Sequence, residues 1–168
     1  MPATYDHGGL KFQYPESWRV ESQSGALQTG PVYVLGQDHA VTLTTPSGAF
    51  WMALRFRGQQ PGRLVATTLE AMRQEYPKLD AEPVEETIAQ HRAQGYDLDF
   101  FCLDFINTAR IRGVPIPGGA LLILYQAEDR EMEELEPVFR AVTTSLLENL
   151  PVVKSSLWPP PDLFGPQG

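Results

Sequence analysis

The chain is poor in cysteine, poor in positive charge and lacks a long apolar run, and each lack removes a class of function. A single cysteine, Cys102, in 168 residues excludes an intramolecular disulfide and a thiolate metal cluster. Against 21 Asp and Glu stand 13 Lys and Arg, a formal net charge of −8. That balance argues against binding a phosphate backbone, which takes clustered cations, and against docking on anionic membranes. No segment approaches the ~20 apolar residues of a membrane span. Residues 1–6 have neither the charged nor the apolar region of a secretory signal, so the expected location is the cytoplasm. Gly-x-Ser-x-Gly, His-Glu-x-x-His and Gly-x-Gly-x-x-Gly do not occur. Gly118-Gly119 is not followed by the Gly-Lys-Ser/Thr of a phosphate loop. The expectation is a protein that is not an enzyme and takes no cofactor or metal.

What is present suits one domain with a substantial core, at 42% apolar residues. Leu10, Phe12 and Tyr14 alternate with Lys11 and Gln13, the period of a half-buried strand. Trp18–Glu21 resumes an extended pattern, Ser22–Gly25 reads as a turn, and Val32–Leu35 as a strand. Gly36–Asp38 reads as another turn and Val41–Thr44 as a strand. Phe50–Arg57 is the clearest strand. Phe50, Met52, Leu54 and Phe56 form a core face, and Trp51, Ala53, Arg55 and Arg57 a face toward solvent or a partner.

Val65, Leu69, Met72 and Tyr76 give Pro61–Tyr76 the apolar stripe of a helix, with Pro61 at its start and Pro77 at its stop. Val84–Gln90 is a strand. Tyr96–Ile106 is a long one, apolar on both faces beyond Asp99 and therefore central or covered. Ala109–Val114 and Ala120–Ala127 are strands around the loop Pro115–Gly119. The last helix is Glu131–Leu147, on Leu135, Val138, Phe139, Val142 and Leu146, with Pro137 in its first turn or kinking it. Strands in blocks rather than strict β-α alternation predict an α+β fold, a mainly antiparallel sheet with helices packed on it. One domain over 1–148 is followed by a Pro-rich tail over 149–168.

Two stretches resemble a known family. They are Leu10-Lys11-Phe12-Gln13-Tyr14-Pro15-Glu16-Ser17-Trp18, and a closing part in which Leu121-Leu122-Ile123-Leu124-Tyr125 leads into Phe139-Arg140-Ala141-Val142-Thr143-Thr144-Ser145-Leu146. With the element order, residues 8–148 resemble the PsbP/Mog-like superfamily. That group includes PsbP, a Ran-binding nucleotide-release factor, DcrB and secretion-effector chaperones. The resemblance implies an α-β-α sandwich and, because these members mostly bind proteins, a binding role. It carries no catalytic constellation and hence no functional residue.

Each candidate site has a structural and a functional reading. Cys102, in Phe100–Leu103, reads as a buried small hydrophobe. Asp97 and Asp99 share a strand face; they are a solvated strand end or a cation-binding or acid–base pair, while Asp104 is a structural contact. His7, His39 and His91 stand in separate contexts, with His39 in a turn. The acidic run Glu128–Glu136 either complements a helix N-terminus or docks a basic partner. Trp18 reads as core. Trp51, Arg55 and Arg57 are either covered by a helix or form a recognition strip, since Trp and Arg lead among interface hot spots.

The resulting expectation is a cytoplasmic protein-binding or adaptor module, with a version that holds or loads a secreted protein. It would act through Trp51, Arg55 and Arg57, joined by Trp158 of the tail. Its partner is a protein, not nucleic acid, and it does not insert in a membrane. The alternatives are a carrier with an apolar ligand between sheet and helix, and an enzyme of unrecognised type built on Asp97, Asp99 and a histidine.

Overall fold

The computed structural model describes residues 2–24 and 36–153. Its elements are β1 (Pro2–His7), β2 (Leu10–Pro15), β3 (Arg19–Ser24), β4 (Gln37–Thr44), β5 (Phe50–Arg57), α1 (Pro61–Glu75), β6 (Asp80–Ile88), β7 (His91–Cys102), β8 (Phe105–Ile116), β9 (Gly119–Glu128) and α2 (Asp129–Glu148). Among the described residues the main sheet has seven strands in the order β3-β4-β5-β9-β8-β7-β6, all antiparallel neighbours. β1 and β2 form a separate antiparallel hairpin. The fold is α+β.

Two cores explain the layering. On one face of the sheet, Met52, Leu54 and Phe56 of β5 meet Leu98, Ile111, Leu122 and Leu124 under the α1 stripe of Leu64, Val65, Leu69 and Met72. On the other, Trp51 and Ala53 meet Val114, Leu121, Ile123 and Tyr125 beneath α2 and the β1–β2 hairpin. β9 is buried on both faces, which is why it reads as an unbroken apolar run. α1 begins at Pro61, where a missing N–H costs nothing, and closes with Tyr76 N–H donating to Met72 O before Pro77. α2 opens on Asp129 and Glu131, carboxylates at the positive end of the helix dipole. Pro137 lies inside the helix beyond its first turn, on an exposed position.

Several sequence expectations are corrected. β1 was not foreseen, and Ser22 to Ser24 continue β3 instead of turning. Gln37 to His39 lie in β4, not in a turn. The single long strand over 96–106 is in fact the end of β7, a two-residue turn at Leu103-Asp104 and the start of β8. Both turn residues have positive φ, 53° and 69°, as a type I′ hairpin requires. The Val32–Leu35 strand and the chain beyond Val153 lie outside the described residues. Asn149 and Leu150, assigned from sequence to the tail, are held on the domain. Asn149 Nδ2 donates to Lys11 O at 3.1 Å, and His91 Nε2 lies 3.1 Å from Leu150 O.

Candidate functional site

The strip on β5 divides: its tryptophan is core and its arginines are tied to one carboxylate. Trp51 is 0% exposed, and its Nε1 donates to Thr143 Oγ1 of α2 at 3.0 Å, with the Phe12 ring 5.0 Å away. Its alternating face was correctly separated from the Met52 face, but a second layer covers it. Trp51 therefore belongs to the core and cannot contact a partner. Trp18 is buried as well, 5.4 Å from Phe139. Trp158 lies outside the described residues.

Arg55 and Arg57, two residues apart on the same face, converge on one carboxylate. The register of β4 slips between Gln37 and His39, and such a bulge re-aims the extra side chain. Asp38 thereby accepts from Arg55 Nε at 3.0 Å, Arg55 Nη2 at 3.2 Å and Arg57 Nε at 2.8 Å. Burial alone would raise the Asp38 carboxyl; the hydrogen bonds and charges of Arg55 and Arg57 outweigh it and hold its pKa below the usual value. His39 is buried beside them and shares a 2.5 Å hydrogen bond with Tyr5 Oη. Burial pushes the His39 imidazole pKa down, and the Arg55 charge pushes it further. The β1–β2 turn sits directly on this group: a Cβ on Gly8 would strike the His39 ring, and one on Gly9 the Arg55 guanidinium. Arg55 is thus a latch between hairpin and sheet, and Arg57 alone of the strip is largely exposed, at 82%.

Of the carboxylates singled out in the sequence, Asp97 and Glu136 are held in ion pairs. Asp97 accepts from Arg112 Nη2 at 2.8 Å and lies 3.5 Å from Arg110 Nε. Arg112 is 4% exposed; its Nε donates to Glu86 at 2.6 Å and its Nη1 to the carbonyls of Tyr96 and Ile111. Glu86 also accepts from Arg140 of α2 at 2.8 Å, and Glu136 of α2 accepts from Arg110 and from Tyr125 Oη. Every charge in this layer has an opposite charge beside it, so it tethers α2 to β6–β9. Asp99 accepts the Thr108 hydroxyl at 3.0 Å, and Asp129 lies 3.2 Å from the same oxygen. One proton cannot serve both acceptors at once. Among the described residues no three His, Cys, Asp or Glu gather where they could hold a metal ion. His7 and His39 do approach one another across the Tyr5 ring, whereas His91 is buried with its Nε2 2.8 Å from Leu147 O.

The β7–β8 turn contains what the sequence reading missed. Phe101, Leu103, Phe105 and Ile106 are exposed by 71%, 87%, 51% and 45%. Phe101 pairs with Ile106 on the α2 side of the hairpin, and Cys102 with Phe105 on the α1 side. The apolar side chains therefore lie on both faces of the sheet around the turn. Asp104, expected to make a structural contact, is an exposed turn residue. Cys102 is half-buried, not buried, and accepts a hydrogen bond from Tyr76 Oη at 3.7 Å. Burial and that contact push the Tyr76 phenol up to about 12. A cleft of about 230 Å³ beside the tip brings together Phe50, Cys102, Leu103, Phe105, Glu128 and Glu131. The signal in the sequence was the length of the apolar run, seven residues from Phe100 to Ile106 broken only by Asp104.

No family model matches the chain, and no curated protein matches it. Solved structures do. The solution structure of cyanobacterial PsbP (CyanoP) from Synechocystis sp. PCC 6803 matches at 13% identity, over 86% of this chain and 90% of that one, with a TM-score of 0.54. A crystal structure from Bacteroides thetaiotaomicron matches at 12% identity over 91% of this chain and 49% of that one, with a TM-score of 0.53. This chain spans about half the length of the Bacteroides protein. PA94 of Pseudomonas aeruginosa, of unknown function, matches at 14% identity over 86% and 95% of the two chains, with a TM-score of 0.49. At such identities the likeness concerns the path of the chain alone: the fold is PsbP-like.

Proposed function

We propose that this chain is a non-enzymatic binding module that works by protein–protein contact through the β7–β8 tip, not through β5. One observation carries the reading. Of five large apolar side chains exposed among the described residues, four (Phe101, Leu103, Phe105 and Ile106) lie within six positions of one turn. Scattered apolar residues on a surface need no explanation, but a contiguous patch marks an interaction site. Leu103 strengthens the point, because a leucine at positive φ serves neither the turn nor the core. The paired charges on the α2 face support a structural role for Asp97 rather than an acid–base role. The finer version, an adaptor that holds a secreted protein, is supported by the chaperone-like members of the superfamily the sequence resembles.

A photocrosslinking residue at Leu103 tests the tip, with one at Glu70, exposed on α1, as control. In a gentle extract of the source cells, Leu103 is expected to capture a discrete protein and Glu70 to capture none. Equal capture at both positions, or none at Leu103, overturns the reading.

A further inference from the structure

The surroundings of the tip are as one-sided in charge as the tip is apolar. Segments 99–108 and 128–134, which meet through the β8–β9 pairing of Asn107 with Glu128, carry seven carboxylates and one cation, Arg130. Asp104 sits in the turn itself, Asp99 and Asp129 flank Thr108, and Glu128 and Glu131 line the cleft together with Phe50, Leu103 and Phe105. Among the described residues, neither Asp104, Glu128 nor Glu131 has a cation beside it, in contrast to Asp97, Glu86 and Glu136. A concavity with aromatic walls and two free carboxylates has the shape and charge that a Lys or Arg side chain needs. The aliphatic stem lies along the rings while the head meets the carboxylates.

We infer that the β7–β8 tip docks a basic, apolar polypeptide segment, seating a Lys or Arg in the cleft between Phe50, Phe105, Glu128 and Glu131 while aliphatic residues cover Leu103 and Phe101. This rests on the tip being a docking surface and names the chemistry of its partner. Charge complementarity selects this occupant over the others. A second copy would bring the same carboxylates face to face. An anionic bilayer would be repelled by them. The chain's own segment 154–168 has a single cation, Lys154, against Asp162, and supplies no basic stretch to match the carboxylates.

The probe is a fluorescein-labelled peptide of alternating Leu and Lys, with a Leu–Glu peptide as its charge-reversed counterpart, titrated against the full chain by fluorescence anisotropy. Expected are binding of the Leu–Lys peptide alone, and at least a tenfold loss in Glu128→Gln/Glu131→Gln and in Leu103→Asn. Glu70→Gln/Glu82→Gln, which removes equal charge from exposed sites elsewhere, is expected to stay within twofold of wild type. Equal losses in the two charge variants would mean general attraction to an acidic protein and overturn the inference. Unchanged affinity in the cleft variant does the same. Flotation with phosphatidylcholine vesicles that depends on Leu103, or a Leu103-dependent dimer in sedimentation, replaces the basic segment with lipid or with a second copy. If Leu103 crosslinks a protein whose capture survives Glu128→Gln/Glu131→Gln, this inference fails and the docking surface stands. If Leu103 captures nothing and no peptide binds, both fail.

Discussion

Trp51 and Leu103 show how differently one apolar side chain can be used from another. Trp51 is sealed between sheet and α2, with its one polar atom satisfied by Thr143. Removing it leaves a cavity in a packed layer, and Trp51→Ala is expected to cost roughly 3–5 kcal/mol. Leu103 touches water on most of its surface and holds a left-handed backbone conformation that costs an ordinary residue about 1 kcal/mol. Asn tolerates that conformation and suits a type I′ turn, so Leu103→Asn is expected to leave stability unchanged or raise it by up to ~1 kcal/mol. Urea unfolding of the two variants checks both halves. A large loss in Leu103→Asn would show the tip leucine to be structural and remove the main reason for assigning it to a partner.

At the scale of elements, the central strands do two jobs. β7 and β8 each run through 12 residues. The middle of β8 holds the sheet to α2 through Arg110 directly and through Arg112 by way of Glu86 and Arg140, and the ends of both strands form the exposed tip. The arginine layer fixes α2 by charge where apolar contacts thin out toward β6. Arg112→Leu takes away one of the two cations beside each of Glu86 and Asp97, leaving Arg140 and Arg110. Both are partly solvated, and Glu86 retains Arg140, so the expected cost is about 2–4 kcal/mol, below that of breaking a fully buried pair. A double-mutant cycle with Glu86→Gln measures the coupling; additive losses would show that the pair contributes nothing jointly. The hairpin was illegible in sequence for a definite reason. Leu103-Asp104 offers Asp104 as its one turn-favouring residue, with no Gly, Asn or Pro beside it. The face toward α1 switches from even positions in β7 to odd positions in β8, but residues 100–106 are apolar at both parities, so no alternation was there to reveal the switch. β5, α1 and α2 were legible because their periodicity is long and their boundaries are marked by Pro or by carboxylates.

For the whole molecule, the acid limb of stability follows from groups that neighbours hold away from their ordinary titration. The His39 pKa lies below its ordinary 6.5, so as pH falls past ~6.5 the unfolded chain takes a proton that the folded chain resists. The unfolded state then binds more protons, and stability falls with falling pH until the folded imidazole titrates. For Glu86, burial works against ionisation, but Arg140 and Arg112 outweigh it, and with Asp38 its pKa is lowered. Their contribution is present above the ordinary carboxylate values of 4.5 and 3.8 and is lost as pH drops through the folded values. Urea midpoints between pH 3 and pH 8 are therefore expected to decline in two stages. His39→Gln, which retains an acceptor for Tyr5, should flatten the stage that begins below about 6.5. An identical decline in that variant would assign the stage to other groups.

Periodicity and charge by themselves determined the α+β class, the extents of β5 and α1, the register that puts Trp51 opposite Met52, and the acidic opening of α2. These are local properties, set by side chains a few residues apart. Whether a strand face meets water depends on what covers it, and that cover comes from far away in the chain. The β1–β2 hairpin and α2 bury Trp51, Asp38 draws Arg55 and Arg57 together across the β4 bulge, and Arg110 and Arg112 find Glu136 and Glu86. Only the tertiary structure decided that Phe101, Leu103, Phe105 and Ile106 stay outside, because neither of the two cores, one on each face of the sheet, extends to the turn that joins β7 and β8.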